Sequence, residues 1–145
     1  MNVPLPVTDP QPPPAVEPRS PKRVVLVDDS PLYAESWRAI FACRYGDRVR
    51  FEAYQDPVEA IRALGPDVDL LLVDLEMPVL DGRKVATIAQ ERGVPRKRIV
   101  IVSGHDADEL HRLFAPGDCL AVINKSEAQQ QSAFLMILDS LVTRH

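Results

Sequence analysis

At 145 residues, with 46% hydrophobic and 26% charged side chains, the chain has room for one domain and for no second domain of ordinary size. A domain of this length buries roughly 70% of its unfolded surface, enough for a substantial core. A formal net charge of -4 argues against a nucleic-acid surface, which needs a clustered basic face. The short basic run Arg96, Lys97 and Arg98 reads as a solvated loop. Cys43 and Cys119 lack the spacing of a zinc site or a disulfide framework. There is also no apolar run of transmembrane length and no signal-peptide pattern, so a soluble, cytoplasmic protein is expected.

Residues 1–21 hold eight of the fourteen prolines and almost no bulky apolar side chains. Such a segment cannot bury enough surface to offset its ordering entropy, and a disordered or polyproline-II-like tail is expected. Pro10 to Pro13 and Pro18 to Pro21 match PxxP, as a proline-rich tail does by composition alone. The folded domain is expected over residues 22–145.

Val24 to Val27 is a short aliphatic run, the pattern of a strand buried on both faces, and it ends in Asp28 and Asp29. Ser30 and Pro31 supply an N-cap and a first-turn proline for a helix with an apolar stripe of Tyr33, Trp37, Ile40 and Phe41, ended by Gly46. Val49, Phe51 and Ala53 alternate as a second strand. Asp56, Pro57 and Glu59 predict a capping box for a helix that turns Val58, Ile61 and Leu64 inward and stops at Gly65-Pro66. Leu70 to Val73 is a third buried run, ending in Asp74, and Pro78, Asp81 and Gly82 mark the turn that follows. A helix over 82–92 faces inward with Val85, Ile88 and Ala89, and Gly93 and Pro95 close it. Ile99 to Val102 is the fourth strand and leads into Ser103-Gly104. Asp106 and Glu109 predict a short helix with Leu110, Leu113 and Phe114 inward. Cys119 to Ile123 reads as the fifth strand, ending in Asn124-Lys125. Ser126 and Gln129 are expected to cap a last helix with Phe134, Leu135, Leu138, Leu141 and Val142 on its apolar side.

Five strand-then-helix units imply a parallel α/β sheet with helices on both faces. Right-handed crossovers place every strand's C-terminal end on one edge, where open α/β sheets bind their ligands. Asp28, Asp29, Asp74, Ser103 and Lys125 all fall on that edge. Three carboxylates held together repel unless a cation compensates, and an all-oxygen set without His or Cys points to Mg²⁺ or Mn²⁺. With such a metal, Asp74 could attack phosphorus and form an aspartyl phosphate, with Lys125 and Ser103 balancing the phosphoryl oxygens.

From about Lys22 onward the chain resembles the receiver domains of bacterial two-component response regulators. The likeness lies in the acidic pair after the first strand, the Asp-x-x-Met-Pro-x-x-Asp-Gly segment from Asp74 to Gly82, the Ser after the fourth strand and the Lys after the fifth. The resemblance implies a flavodoxin-like (βα)5 fold with strand order 2-1-3-4-5, of the stand-alone type. It implies that Asp74 is the phosphoacceptor, that Asp29, Asp74 and the Glu76 backbone carbonyl ligate Mg²⁺, and that Asp28 acts largely through water. Ser103 and Lys125 would bind the phosphoryl group, and Glu76 and His105 would flank it.

The implied partners are a histidine kinase or phosphotransfer protein and a protein target, with phosphorylation-dependent dimerisation among the contacts and no nucleic acid or membrane. On this expectation the chain is a phosphoacceptor and not an enzyme. Two alternatives are the receiver half of a DNA-binding regulator, and a Mg²⁺-dependent phosphohydrolase of similar topology. The adjacency of Asp28 and Asp29 disfavours the latter, which usually spaces its two aspartates by one residue. The chain departs from the receiver pattern at Val122, where receivers usually carry Tyr or Phe, and at Ser126, where Pro commonly follows the Lys.

Overall fold

Successive side chains of a strand point to opposite faces, so an unbroken aliphatic run is stable only where both faces of a sheet are covered. The computed structural model shows that arrangement. It describes residues 20–104, 112, 117–126 and 128–143. In chain order these form β1 (Lys22–Val27), α1 (Pro31–Tyr45), β2 (Val49–Tyr54), α2 (Pro57–Ala63), β3 (Leu70–Asp74), α3 (Gly82–Glu91), β4 (Ile99–Ser103), β5 (Ala121–Asn124) and α4 (Ala128–Thr143), with short 3₁₀ turns before β2 and β4. The five strands make one parallel sheet in the order β2-β1-β3-β4-β5, the flavodoxin-like topology.

The three central runs divide their side chains between two cores. Val25, Val27, Leu71, Val73, Ile99 and Ile101 pack with Ala60 of α2, with Leu64 just after it, and with Val85 and Ala89 of α3. Val24, Leu26, Leu70, Leu72, Val100 and Val102 pack on the other side with Trp37 and Phe41 of α1 and Phe134 and Leu138 of α4. Burial on both faces is why polar alternation is missing from these strands.

The helix boundaries follow local chemistry. Ser30 Oγ accepts from Tyr33 N at 3.2 Å and Pro31 opens α1, while Gly46 ends it at φ +56, a conformation that L side chains rarely adopt. Asp56 Oδ1 accepts from Val58 N at 2.9 Å, and Asp81 Oδ1 from Lys84 N at 3.0 Å at the start of α3.

Two expectations change. Val58 is 43% exposed, and Ala60 takes the inward place on α2, because a seven-residue helix turns only a narrow stripe toward the sheet. The fifth strand begins at Ala121, with Cys119 and Leu120 in the bend before it. Its pairing starts only where Ala121 meets Val100. The last helix is described from Ala128, and the cap expected at Ser126 and Gln129 turns on Glu127, which lies outside the described residues; Ser126 N–H donates to Asn124 Oδ1 at 2.8 Å. The proline-rich tail over 1–19 and the inward residues of the helix expected at 106–114 fall outside the described residues.

At the sheet end remote from the aspartates, Arg23 ties four segments together. Its guanidinium donates to both Glu52 oxygens on β2 at 2.8 and 3.0 Å, to Asp67 at 3.0 Å and to the Ala63 carbonyl at 2.8 Å. Hydrogen bonding from Arg23 holds the Glu52 carboxyl down at about 2. A carboxyl depressed in the folded state contributes stability at pH values above its unfolded pKa, and that stability is lost as the pH falls from about 4.5 toward 2. Denaturation at pH 5.5 and at pH 3 is expected to show wild type losing about 1 kcal/mol more than Glu52→Gln over this interval, after allowance for solvent screening.

Candidate functional site

Strand register sets the site before any side chain is considered. Val27 pairs with Val73, so Asp28 and Asp74 leave the sheet side by side. Asp74 pairs with Val102 and Ser103 with Asn124, which brings Ser103 and Lys125 to the same edge. Backbone hydrogen bonds extend the ladder past the strand ends: Leu75 N donates to Val102 O at 2.8 Å and Lys125 N to Ser103 O at 2.8 Å.

The loop after β3 is pinned by a close backbone approach. Gly82 N donates to Leu75 O at 3.0 Å. A Cβ on Gly82 would lie 2.8 Å from Leu75 Cα and closer still to the Asp74 carbonyl oxygen. Only glycine fits there without displacing the backbone that carries Asp74. Met77 and Leu75 turn into the core and anchor the loop, while Val79 is exposed. Gly82→Ala is expected to cost about 1–3 kcal/mol in urea denaturation and to shift amide resonances at Asp74 and Leu75.

Asp28, Asp29 and Asp74 converge, each offering an oxygen within 4.8 Å of the others. Asp28 and Asp74 are buried and Asp29 is exposed. Lys125 Nζ lies 2.7 Å from Asp28 Oδ2 and 3.5 Å from Asp74 Oδ2. The second Asp28 oxygen accepts from Ser30 N at 2.8 Å, and Asp74 Oδ1 accepts from Glu76 N at 3.2 Å. Burial would lower the Lys125 ammonium, but the hydrogen bond and charge of Asp28, together with Asp74, outweigh it and raise it.

Asp74 is pushed up to about 7, first by burial and then by the Asp28 charge, against the attraction of Lys125. The single ammonium therefore does not fully balance the buried carboxylates. The donor set is all oxygen, hard and partly open to solvent through Asp29, which fits a small divalent cation such as Mg²⁺. A carboxyl raised in the folded state destabilises the fold above its unfolded pKa. Without divalent cation, Asp74→Asn is therefore expected to be more stable than wild type at pH 8, by on the order of 3 kcal/mol, with the gain disappearing below about pH 4. Thermal melts across pH, with and without Mg²⁺, measure it.

Ser103 meets Asp74's neighbourhood through another residue. Its hydroxyl donates to Glu76 Oε1, and Gly104 N reaches Glu76 Oε2 at 3.4 Å. The Glu76 carboxylate thus occupies donors that an incoming anion would use. Glu76 was expected to flank the site, but its hold on Ser103 was not visible in sequence, where the two residues are far apart. His105 lies outside the described residues, as do His111 and His145. Val122 packs against the core on the α2–α3 side. Sequence reading also missed Tyr33, assigned there simply to the apolar stripe of its helix: its ring lies under Lys125, with Nζ 4.6 Å from the centroid. An aromatic at the first turn of a helix that follows an acidic strand end was the available signal.

An open parallel α/β sheet with clustered carboxylates and a lysine at the C-terminal edge places its polar groups where doubly wound α/β domains bind ligands. The model of the response regulator receiver domain matches residues 24–133, and the chain belongs to that family. Among curated proteins it is similar to the two-component response regulator-like protein APRR1 of Arabidopsis thaliana, 27% identical over 90 residues, covering 61% of this chain and 14% of that protein. Among solved structures, a LuxR-family two-component response regulator from Aurantimonas sp. SI85-9A1 is 26% identical with a TM-score of 0.64, covering 87% of this chain and 89% of the other. A response regulator receiver protein from Burkholderia phymatum shares the fold at a TM-score of 0.67 and 18% identity, covering 86% and 97%.

Proposed function

We propose that this chain is a phosphorylation-controlled signalling switch in which Asp74 accepts a phosphoryl group from a histidine on a kinase or phosphotransfer protein. The observation that carries the reading is the placement of Lys125 Nζ between two buried carboxylates, 2.7 Å from Asp28 and 3.5 Å from Asp74. A cation there can leave Asp28 for a phosphoryl oxygen on Asp74 with little motion.

In the transfer step an Asp74 carboxylate oxygen bonds to phosphorus while the bond from phosphorus to the donor's imidazole nitrogen breaks. The nitrogen keeps that electron pair and takes up a proton. Asp29, Asp74 and the Glu76 backbone carbonyl would hold Mg²⁺, with Asp28 acting through water; the metal supplies charge balance for the phosphoryl oxygens. Lys125 contributes a second positive charge, and Ser103 donates a hydrogen bond once it releases Glu76. The chain acts as a phosphoacceptor, promoting its own modification by positioning and electrostatics, without turning over a substrate.

The output follows from magnitudes. A hydrogen bond to a charged group is worth roughly 1.5–3 kcal/mol, whereas taking a two-state equilibrium from 1:99 to 99:1 needs about 5.5 kcal/mol. Ser103 alone is insufficient. Ser103 and Lys125 are coupled through the Lys125 N to Ser103 O bond, and together they draw the end of β4 and β5 toward Asp74. That shift changes the surface offered to a protein target or a second copy of the chain. On this reading the chain acts in the cytoplasm, where a histidine kinase or phosphotransfer protein would reach it; no described helix is long and apolar enough to cross a membrane.

Incubation with Mg²⁺ and a small phosphodonor is expected to add about 80 Da (one phosphoryl group) to wild type and nothing to Asp74→Asn, read by intact mass. Equal labelling of both proteins rejects the assignment. Glu76→Ala, which removes the carboxylate bonded to Ser103 and close to the Gly104 N–H, is expected to accelerate the labelling several-fold in the same assay.

A further inference from the structure

We propose that Tyr33, in the first turn of α1, is the positioning residue for the Lys125 ammonium, its ring face forming the third wall of the pocket in which that charge is held. The other two walls are the carboxylates of Asp28 and Asp74, at 2.7 and 3.5 Å from Nζ, and the ring centroid lies 4.6 Å from the same atom. Cation–ring attraction strengthens as the cation is removed from water, and the Lys125 side chain is only 23% exposed. A ring face suits this position better than a third carboxylate, since it attracts the ammonium without adding negative charge to a cluster already short of cations.

The ring is itself held in place. Tyr33 N is fixed by the Ser30 cap, and the ring meets Trp37 edge-on with centroids 6.2 Å apart. Trp37 is buried against Phe41 and against Phe134 of α4, at 5.6 and 5.5 Å. The wall under Lys125 is therefore an extension of the core between α1 and α4. Burial pushes the Tyr33 phenol up, so it presents a neutral ring through the physiological range.

Attraction to a ring face is broad in direction, whereas the hydrogen bond to Asp28 is not. Nζ can slide from Asp28 toward Asp74 without leaving the ring. Tyr33 then limits where the ammonium can go while leaving open the move that phosphoryl binding requires. This consequence rests on the proposed function; the contact itself does not.

The full chain, as wild type, Tyr33→Phe, Tyr33→Leu and Tyr33→Met, separates the two. The Lys125 ε-methylene protons, assigned by their loss in Lys125→Arg, are expected upfield in wild type and Tyr33→Phe through the ring current, and at ordinary positions in the Leu and Met variants. Beryllofluoride affinity in the presence of Mg²⁺, measured by calorimetry, is expected to stay within about twofold of wild type for Tyr33→Phe and to weaken about fivefold for whichever aliphatic variants give a folded amide spectrum. Ordinary Lys125 shifts in wild type overturn the proposal. So does an aliphatic variant that binds as wild type does, or a Phe variant that loses as much as the aliphatic ones. Wild type that binds no beryllofluoride rejects the phosphoacceptor reading, and the Lys125 shifts alone then decide the role of Tyr33.

Discussion

Two carboxylates buried side by side, with one ammonium to serve both, are the constraint around which this molecule is arranged. In a low-dielectric setting like charges cannot easily stay ionised together without a compensating cation, and Asp74 is pushed up to about 7, first by its burial and then by the Asp28 charge. Parallel pairing forces the arrangement, because register alone sets Asp28 beside Asp74. The groups nearby relieve it in part: Ser30 N on Asp28, Glu76 N on Asp74, and Lys125 between them. On the proposed function, a ligand that changes the local charge would shift this balance.

The rest of the fold supplies rigidity on which that response can act. Two apolar cores clamp the central strands from both faces, and the α1–α4 side carries its aromatic packing up to Tyr33 directly below the lysine. At the lower end of that side, Arg44 and Tyr45 of α1 both bond Asp139 of α4, at 2.7 to 3.0 Å. The two helices are thus joined at both ends, by rings near the site and by polar contacts away from it. On the proposed function, a displacement of Lys125 is registered against a stiff wall and passes outward along β5.

Glu76 adds a local competition. Its carboxylate takes the Ser103 hydroxyl and approaches the Gly104 N–H, so an anion entering beside Asp74 meets donors already engaged by a like charge. Glu76 is exposed and reaches in from the loop after β3, so it engages Ser103 from the solvent side of the site.

The amino-acid sequence by itself determined the class of fold, since unbroken runs such as Leu70 to Val73 can be satisfied only in a doubly covered parallel sheet. It also placed Asp28, Asp29, Asp74, Ser103 and Lys125 on one edge, because strand-then-helix alternation with right-handed crossovers leaves no other arrangement. Caps at Ser30 and Asp56 were legible for the same reason: their interactions are local. What only the tertiary structure decided are the contacts between residues distant in the chain: Glu76 on Ser103, Tyr33 beneath Lys125, and the approach of Gly82 to the Asp74 backbone. Val58 and the start of β5 belong with these, since a short helix or strand takes its rotation and limits from the surface it packs on. Periodicity reports which residues leave water; the partner each one meets is set by register and packing in three dimensions.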